Sequence, residues 1–143
     1  MDASSPARLY ATLVGAVLVV AGIIGFFYEA SFATGDSIRS DDVFGLLAVN
    51  GWHNLVHILL GLLGLALAGS TDSARFYCLF SGVLYLILAI WGFAVVDDGI
   101  GDLVNLVPVN TEDNFLHLIL SLTGVGAAFA TRSGPGAGAA PAT

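Results

Sequence analysis

Basic charge is nearly absent from this 143-residue chain, which has four Lys or Arg positions against 11 acidic ones. That scarcity excludes nucleic acid as a partner, because no basic patch exists to neutralise phosphates. Cysteine occurs once, at Cys78. A lone thiol forms no internal disulfide and no metal site by itself, so Cys78 reads as a packing residue. Charge of either sign makes up only 10% of the chain, where a soluble globule carries about 25%. No nucleophile stands in a recognisable catalytic setting, and no phosphate-binding glycine loop is present. Gly22-x-x-Gly25 is a packing pattern, so the sequence does not read as an enzyme.

Apolar residues fill the space left by charge: 57% of the chain is hydrophobic and mean hydropathy is +0.89. Leu9–Tyr28, Val43–Gly69, Phe76–Val96 and Asn114–Thr131 contain no Asp, Glu, Lys or Arg. A span needs about 20 such residues, with roughly 17 as the lower limit. These stretches predict an all-α integral membrane protein of four transmembrane helices. The 20-residue apolar core of helix 1 is too long for a cleaved signal peptide. Arg8, Arg75 and Arg132 fall on one side, while the other side carries nine acidic residues and only Arg39. By the positive-inside rule this places both termini in the cytoplasm of a cell (inner) membrane protein, with the acidic loops outside. Phe26, Phe27, Tyr28, Trp52, Trp91 and Phe93 are expected to ring the outer interface, and Tyr10 and Tyr77 the inner one.

The chain is also a tandem duplication. Ala7-Arg8-Leu9-Tyr10 returns as Ala74-Arg75-Phe76-Tyr77, and in that register Gly15 matches Gly82 and Gly25-Phe26 match Gly92-Phe93. Asn50, Asn54, His57 and Gly64 return as Asn110, Asn114, His117 and Gly124, with Gly61 replaced by Ser121. Residues 1–132 therefore form one four-helix domain built from a repeated two-helix hairpin, over 7–69 and 74–131. Residues 133–143, rich in Gly, Ala and Pro, are expected to form a flexible cytoplasmic tail. An even number of spans per unit keeps both copies in one orientation, about a pseudo-two-fold axis along the membrane normal. The apolar runs Val43–Val49 and Leu103–Val109 are expected to be interfacial or partly re-entrant, the second being interrupted by Pro108.

The repeated residues recur at steps of 4, 3, 4 and 3, which puts them on one helical face. Asn50, Asn54, Gly61 and Gly64, with Asn110, Asn114, Ser121 and Gly124, read as a packing seam along which helices 2 and 4 meet. The histidines fit that reading less well. His57 lies about 10 Å inside Asn50 along the helix axis, and His117 lies at the matching depth. Ionisable groups at such depth usually face the bundle interior or a water-filled cavity. His53 adds an imidazole one turn from His57, and the second copy has Asp113 at its position. His53, His57, His117 and Asp113 are therefore the candidate metal ligands, suited to zinc or copper. A proton relay through the same groups is open, as is a haem with His57 and His117 as axial ligands, though nothing else suggests a porphyrin pocket. Tyr85, midway along helix 3, is expected to give its hydroxyl to a neighbouring helix.

Val49-Asn50-Gly51-x-His53-Asn54-Leu55-Val56-His57, Val109-Asn110-x-x-Asp113-Asn114-x-x-His117 and Ala74-Arg75-x-Tyr77 together resemble the four-span membrane family known as domain of unknown function 4383. The resemblance runs from Arg8 to about Phe129. It implies an inner-membrane helical bundle and carries no catalytic residues. A structural or interaction module of the lipid bilayer is the function read first, with a homo-oligomer or another membrane protein as partner. Its alternative is a metal-binding or proton-relaying protein; a second is a component of an oligomeric channel or transporter.

Overall fold

The structure, a computed structural model, describes residues 5–131. Arg132, the opening residues 1–4 and the expected tail over 133–143 lie outside the described residues. Four helices form: α1 (Pro6–Gly25), α2 (Gly51–Leu67), α3 (Thr71–Val95) and α4 (Thr111–Ala130). Each begins at a side chain able to accept a hydrogen bond from a free amide of the first turn. Ser5 caps α1, Asn50 caps α2, Ser70 caps α3 and Asn110 caps α4. Helices α1, α3 and α4 are long and apolar enough to cross a membrane, which makes this a multi-pass membrane protein. Helix α2 is an apolar helix of 17 residues, about 26 Å long at the usual rise.

Helix α2 is shorter than the uncharged stretch containing it because the apolar runs ahead of α2 and α4 are not helical. Each is a β-hairpin. Strands β1 (Asp41–Val43) and β2 (Leu47–Val49) pair antiparallel, and so do β3 (Ile100–Leu103) and β4 (Val107–Asn110). The turns reverse through positive φ at Phe44 (55°) and Gly45 (69°) in one copy, and at Val104 (51°) and Asn105 (56°) in the other. Paired positive φ values suit the right-handed twist of two-stranded ribbons. Only Gly45 and Asn105 tolerate that backbone readily, so the hairpins are held in place by what they pack against.

The principal helix contacts lie within each hairpin unit, α1 on α2 and α3 on α4. This corrects the expected seam, because the stripe on α2 faces α1 rather than α4. A Cβ on Gly61 would stand 2.6 Å from the Gly15 carbonyl oxygen, and one on Gly15 would stand 2.9 Å from that of Gly61. Backbones this close need glycine on both sides, the geometry that packs helices in lipid. Asn54 lies against Gly25 as Asn114 lies against Gly92. Lower down, Gly64 and Gly124 leave room for the rings of Tyr77 and Tyr10 from the opposite repeat.

Two reciprocal pairs of hydrogen bonds join the repeats and display the pseudo-symmetry. At one end Asn50 Nδ2 donates to the Leu106 carbonyl at 2.7 Å, and Asn110 Nδ2 to that of Leu46 at 2.7 Å. Toward the other end Tyr10 Oη donates to the Leu120 carbonyl at 2.8 Å, and Tyr77 Oη to that of Leu60 at 3.2 Å. Tyr10 and Tyr77 are thus buried joints between repeats, not the boundary aromatics expected from their positions. Ala7, Ala11, Ala74, Cys78 and Ala128 pack around them, so Cys78 is a core residue.

Candidate metal centre

Between these two sets of joints the repeats enclose three imidazoles. His53 and His57 are one turn apart on α2, their ring centroids 4.4 Å apart and their planes at 65°. His117 comes from α4, its ring 6.3 Å from that of His53. One ligand atom from each of the three lies within 4.8 Å of the others. Tetrahedral zinc, with bonds of about 2.0–2.1 Å, holds its nitrogens roughly 3.3 Å apart. Small side-chain torsions would close the triangle by that difference. His53 and His117 are buried, and their Nδ1 atoms have no hydrogen-bond partner among the described residues. Buried polar atoms without partners are rare and need a cause. Bonding to a metal ion would be one.

The position of the cluster follows from the local sequence. Asn50 Oδ1 accepts from the His53 amide at 2.9 Å, so the cap that starts α2 fixes His53 at the end of its first turn. The i, i+4 step then brings His57 onto the same face. In the second copy Asn110 Oδ1 accepts from the Asp113 amide at 2.8 Å, and His117 follows one turn later.

Asp113 does not join this cluster of candidate ligand atoms. It is buried, but its Oδ2 accepts from the Asn110 amide at 3.0 Å, completing a capping box, and from the Ala48 amide of the other repeat at 3.0 Å. The sequence carries that signal as Asn-x-x-Asp ahead of an apolar run, which is a helix-start pattern before it is a ligand pattern. Three of the four Asn residues of the stripe are also committed, while both amide atoms of Asn114 are buried without a partner among the described residues. Asn50 and Asn110 are caps and inter-repeat donors, and Asn54 Nδ2 donates to the Glu29 carbonyl at 2.9 Å.

Tyr85 belongs to this site, although the sequence pointed to no role there. Its ring centroid is 5.3 Å from that of His117, with an interplanar angle of 30°. The expected donation to a neighbouring helix is not made: the buried hydroxyl has no partner among the described residues. The duplicate position on α1 is Leu18, so this hydroxyl breaks the pseudo-symmetry, as His53 does against Asp113. Apolar cavities flank the cluster. Those between α1, the first hairpin and α4 measure about 410 and 280 Å³ and reach His57 and Asp113. A third, of about 180 Å³, lies between α2, α3 and the second hairpin and touches all three histidines and Tyr85.

No curated protein and no solved structure matches the chain. One family model does, that of the Domain of unknown function (DUF4383), over residues 8–130. With the match covering nearly every residue of the four-helix bundle and its histidine cluster, the chain belongs to the DUF4383 family of membrane proteins.

Proposed function

We propose that this protein binds one transition-metal ion within the membrane through His53, His57 and His117. The convergence of three imidazoles from two helices carries the reading. A purely structural seam accounts for the glycines, which are packed, and for Asn50, Asn54 and Asn110, which are hydrogen-bonded. It leaves unexplained why histidines from separate helices crowd together with unpartnered ring nitrogens. Neutral imidazoles suit zinc and copper. Three nitrogens around one point favour a small ion over a haem held between His57 and His117, whose rings would then have to stand apart on opposite faces of the macrocycle. A relay through Asp113 is less favoured, since its Oδ2 already accepts two backbone amides.

Metal-free protein in detergent is expected to bind Zn²⁺ or Cu²⁺ saturably at one ion per chain. Affinity should rise with pH, because protons compete for the imidazoles. The double variant His57→Gln, His117→Gln should lose binding while keeping its helical circular dichroism. Absence of saturable binding by folded wild type between pH 6 and 8 would return the cluster to a structural role.

The arginine distribution supports a cytoplasmic location for both termini, with the hairpins and the metal centre toward the outer face. Single cysteines at Ser37 and Asp72, in a Cys78→Ala background, are expected to react with a membrane-impermeant maleimide from opposite sides. Both positions are exposed. Labelling of Ser37→Cys only in inverted vesicles would reverse the orientation.

A further inference from the structure

Three imidazoles leave one position open on a four-coordinate ion, the arrangement of a centre that takes an exogenous ligand rather than one that only holds structure. The space around the cluster is not equivalent on its two sides. On the side of α1 the cavities reach His57 beside Asp113, and one of them also reaches His117. The cavity between α2 and α3, by contrast, touches His53, His57 and His117 together. The rest of its wall is apolar, from residues such as Leu84, Leu88 and Val107, apart from Tyr85 and Trp91. Its volume of about 180 Å³ is close to the ~150 Å³ of engineered apolar cavities that stay dry and bind benzene or xenon. The Tyr85 hydroxyl is buried without a partner among the described residues.

We infer that this cavity is the open coordination position of the histidine centre. It takes a compact metal-binding ligand of a few heavy atoms, uncharged or singly charged, whose free end receives the Tyr85 hydroxyl. The inference rests on the metal reading above and adds the ligand's place and class. An apolar wall disfavours multiply charged or large polar molecules, since these would lose hydration without gaining partners. One donor at the far side of the metal suffices to orient a diatomic or triatomic molecule. Trp91 and Val104, which line the same cavity, are also exposed on the outside of the bundle, so the ligand enters between α3 and the second hairpin.

The test uses Co²⁺ as a visible probe and azide as the ligand, on the full-length protein in detergent. Co²⁺ should give the intense visible bands of a four-coordinate nitrogen site, and azide should shift them saturably. Tyr85→Phe should leave Co²⁺ affinity unchanged and weaken azide binding about threefold to tenfold, the worth of one hydrogen bond. Leu88→Trp, or Val107→Phe from the opposite wall, should fill the cavity and abolish the azide response while the Co²⁺ bands persist. Those persisting bands report that each variant is folded. Failure of Co²⁺ to bind at all defeats the metal reading itself. Co²⁺ bands that ignore azide, or an azide response unaltered in Tyr85→Phe and in both filled variants, defeat the ligand cavity alone.

Discussion

Gly61→Leu is expected to destabilise the bundle by about 1–3 kcal/mol, the cost of forcing extra atoms into a packed core, and by more if the backbones cannot part. A Cβ at Gly61 would sit 2.6 Å from the Gly15 carbonyl oxygen and 2.7 Å from the Val19 amide nitrogen, so the first added atom already meets backbone. No rotamer relieves that. Gly61→Ala should therefore reproduce most of the loss, which distinguishes backbone contact from a side-chain clash. Gly82→Ala in the second copy should be milder, because its nearest obstacle at 2.8 Å is a Val125 side-chain methyl. Leu62→Met, on the exposed face of α2, serves as the silent control. Denaturant or SDS titration of the purified protein, followed by circular dichroism, measures all four. Equal losses for Gly61→Ala and Leu62→Met would mean that α1 and α2 do not meet there.

This difference between faces also shows how far the sequence could be read. Membrane insertion, four helices and the duplication all follow from charge-free stretches and from identities at fixed offsets, because lipid leaves the backbone few alternatives. The partner of the glycine stripe was not legible. Periodicity says which residues share a face but not which helix covers it, and the glycines of α1 were equally available to α2. The hairpins were missed for a related reason. Val43–Val49 and Leu103–Val109 are apolar enough to pass as helix, and the second turn lacks the usual Asn-Gly or Asp-Gly signal, reversing through Val104-Asn105. At the candidate site, histidine spacing on α2 and the duplicate His117 pointed to three residues that do converge. The fourth candidate shared its signal with a helix cap. Tyr85 gave no signal for this site, because a single tyrosine in a membrane helix has many ordinary partners and only the three-dimensional arrangement shows that its hydroxyl has none among the described residues.

Asp113 separates the two roles that the sequence merged. Asp113→Ala should cost about 2–6 kcal/mol, since it leaves the Ala48 and Asn110 amides buried without an acceptor, at roughly 1–3 kcal/mol each. The loss falls at the joint where one repeat's hairpin meets the other repeat's helix, so it should loosen the two halves as well as fray α4. Asp113→Asn keeps a carbonyl oxygen able to accept from both amides and gives up only the charge near the helix start, worth about 0.3–1 kcal/mol. If Asp113 acts only as a joint, Asp113→Asn should be nearly as stable as wild type and should bind Zn²⁺ with unchanged affinity. A carboxylate ligand behaves differently, because replacing it by an amide removes a metal bond while leaving the fold in place. Zinc titration of Asp113→Asn beside His57→Gln decides the matter: only the histidine variant should lose the metal. A loss of zinc affinity in Asp113→Asn comparable to that of His57→Gln, at wild-type stability, would make the carboxylate a fourth ligand and require Asp113 to leave its cap when the ion arrives.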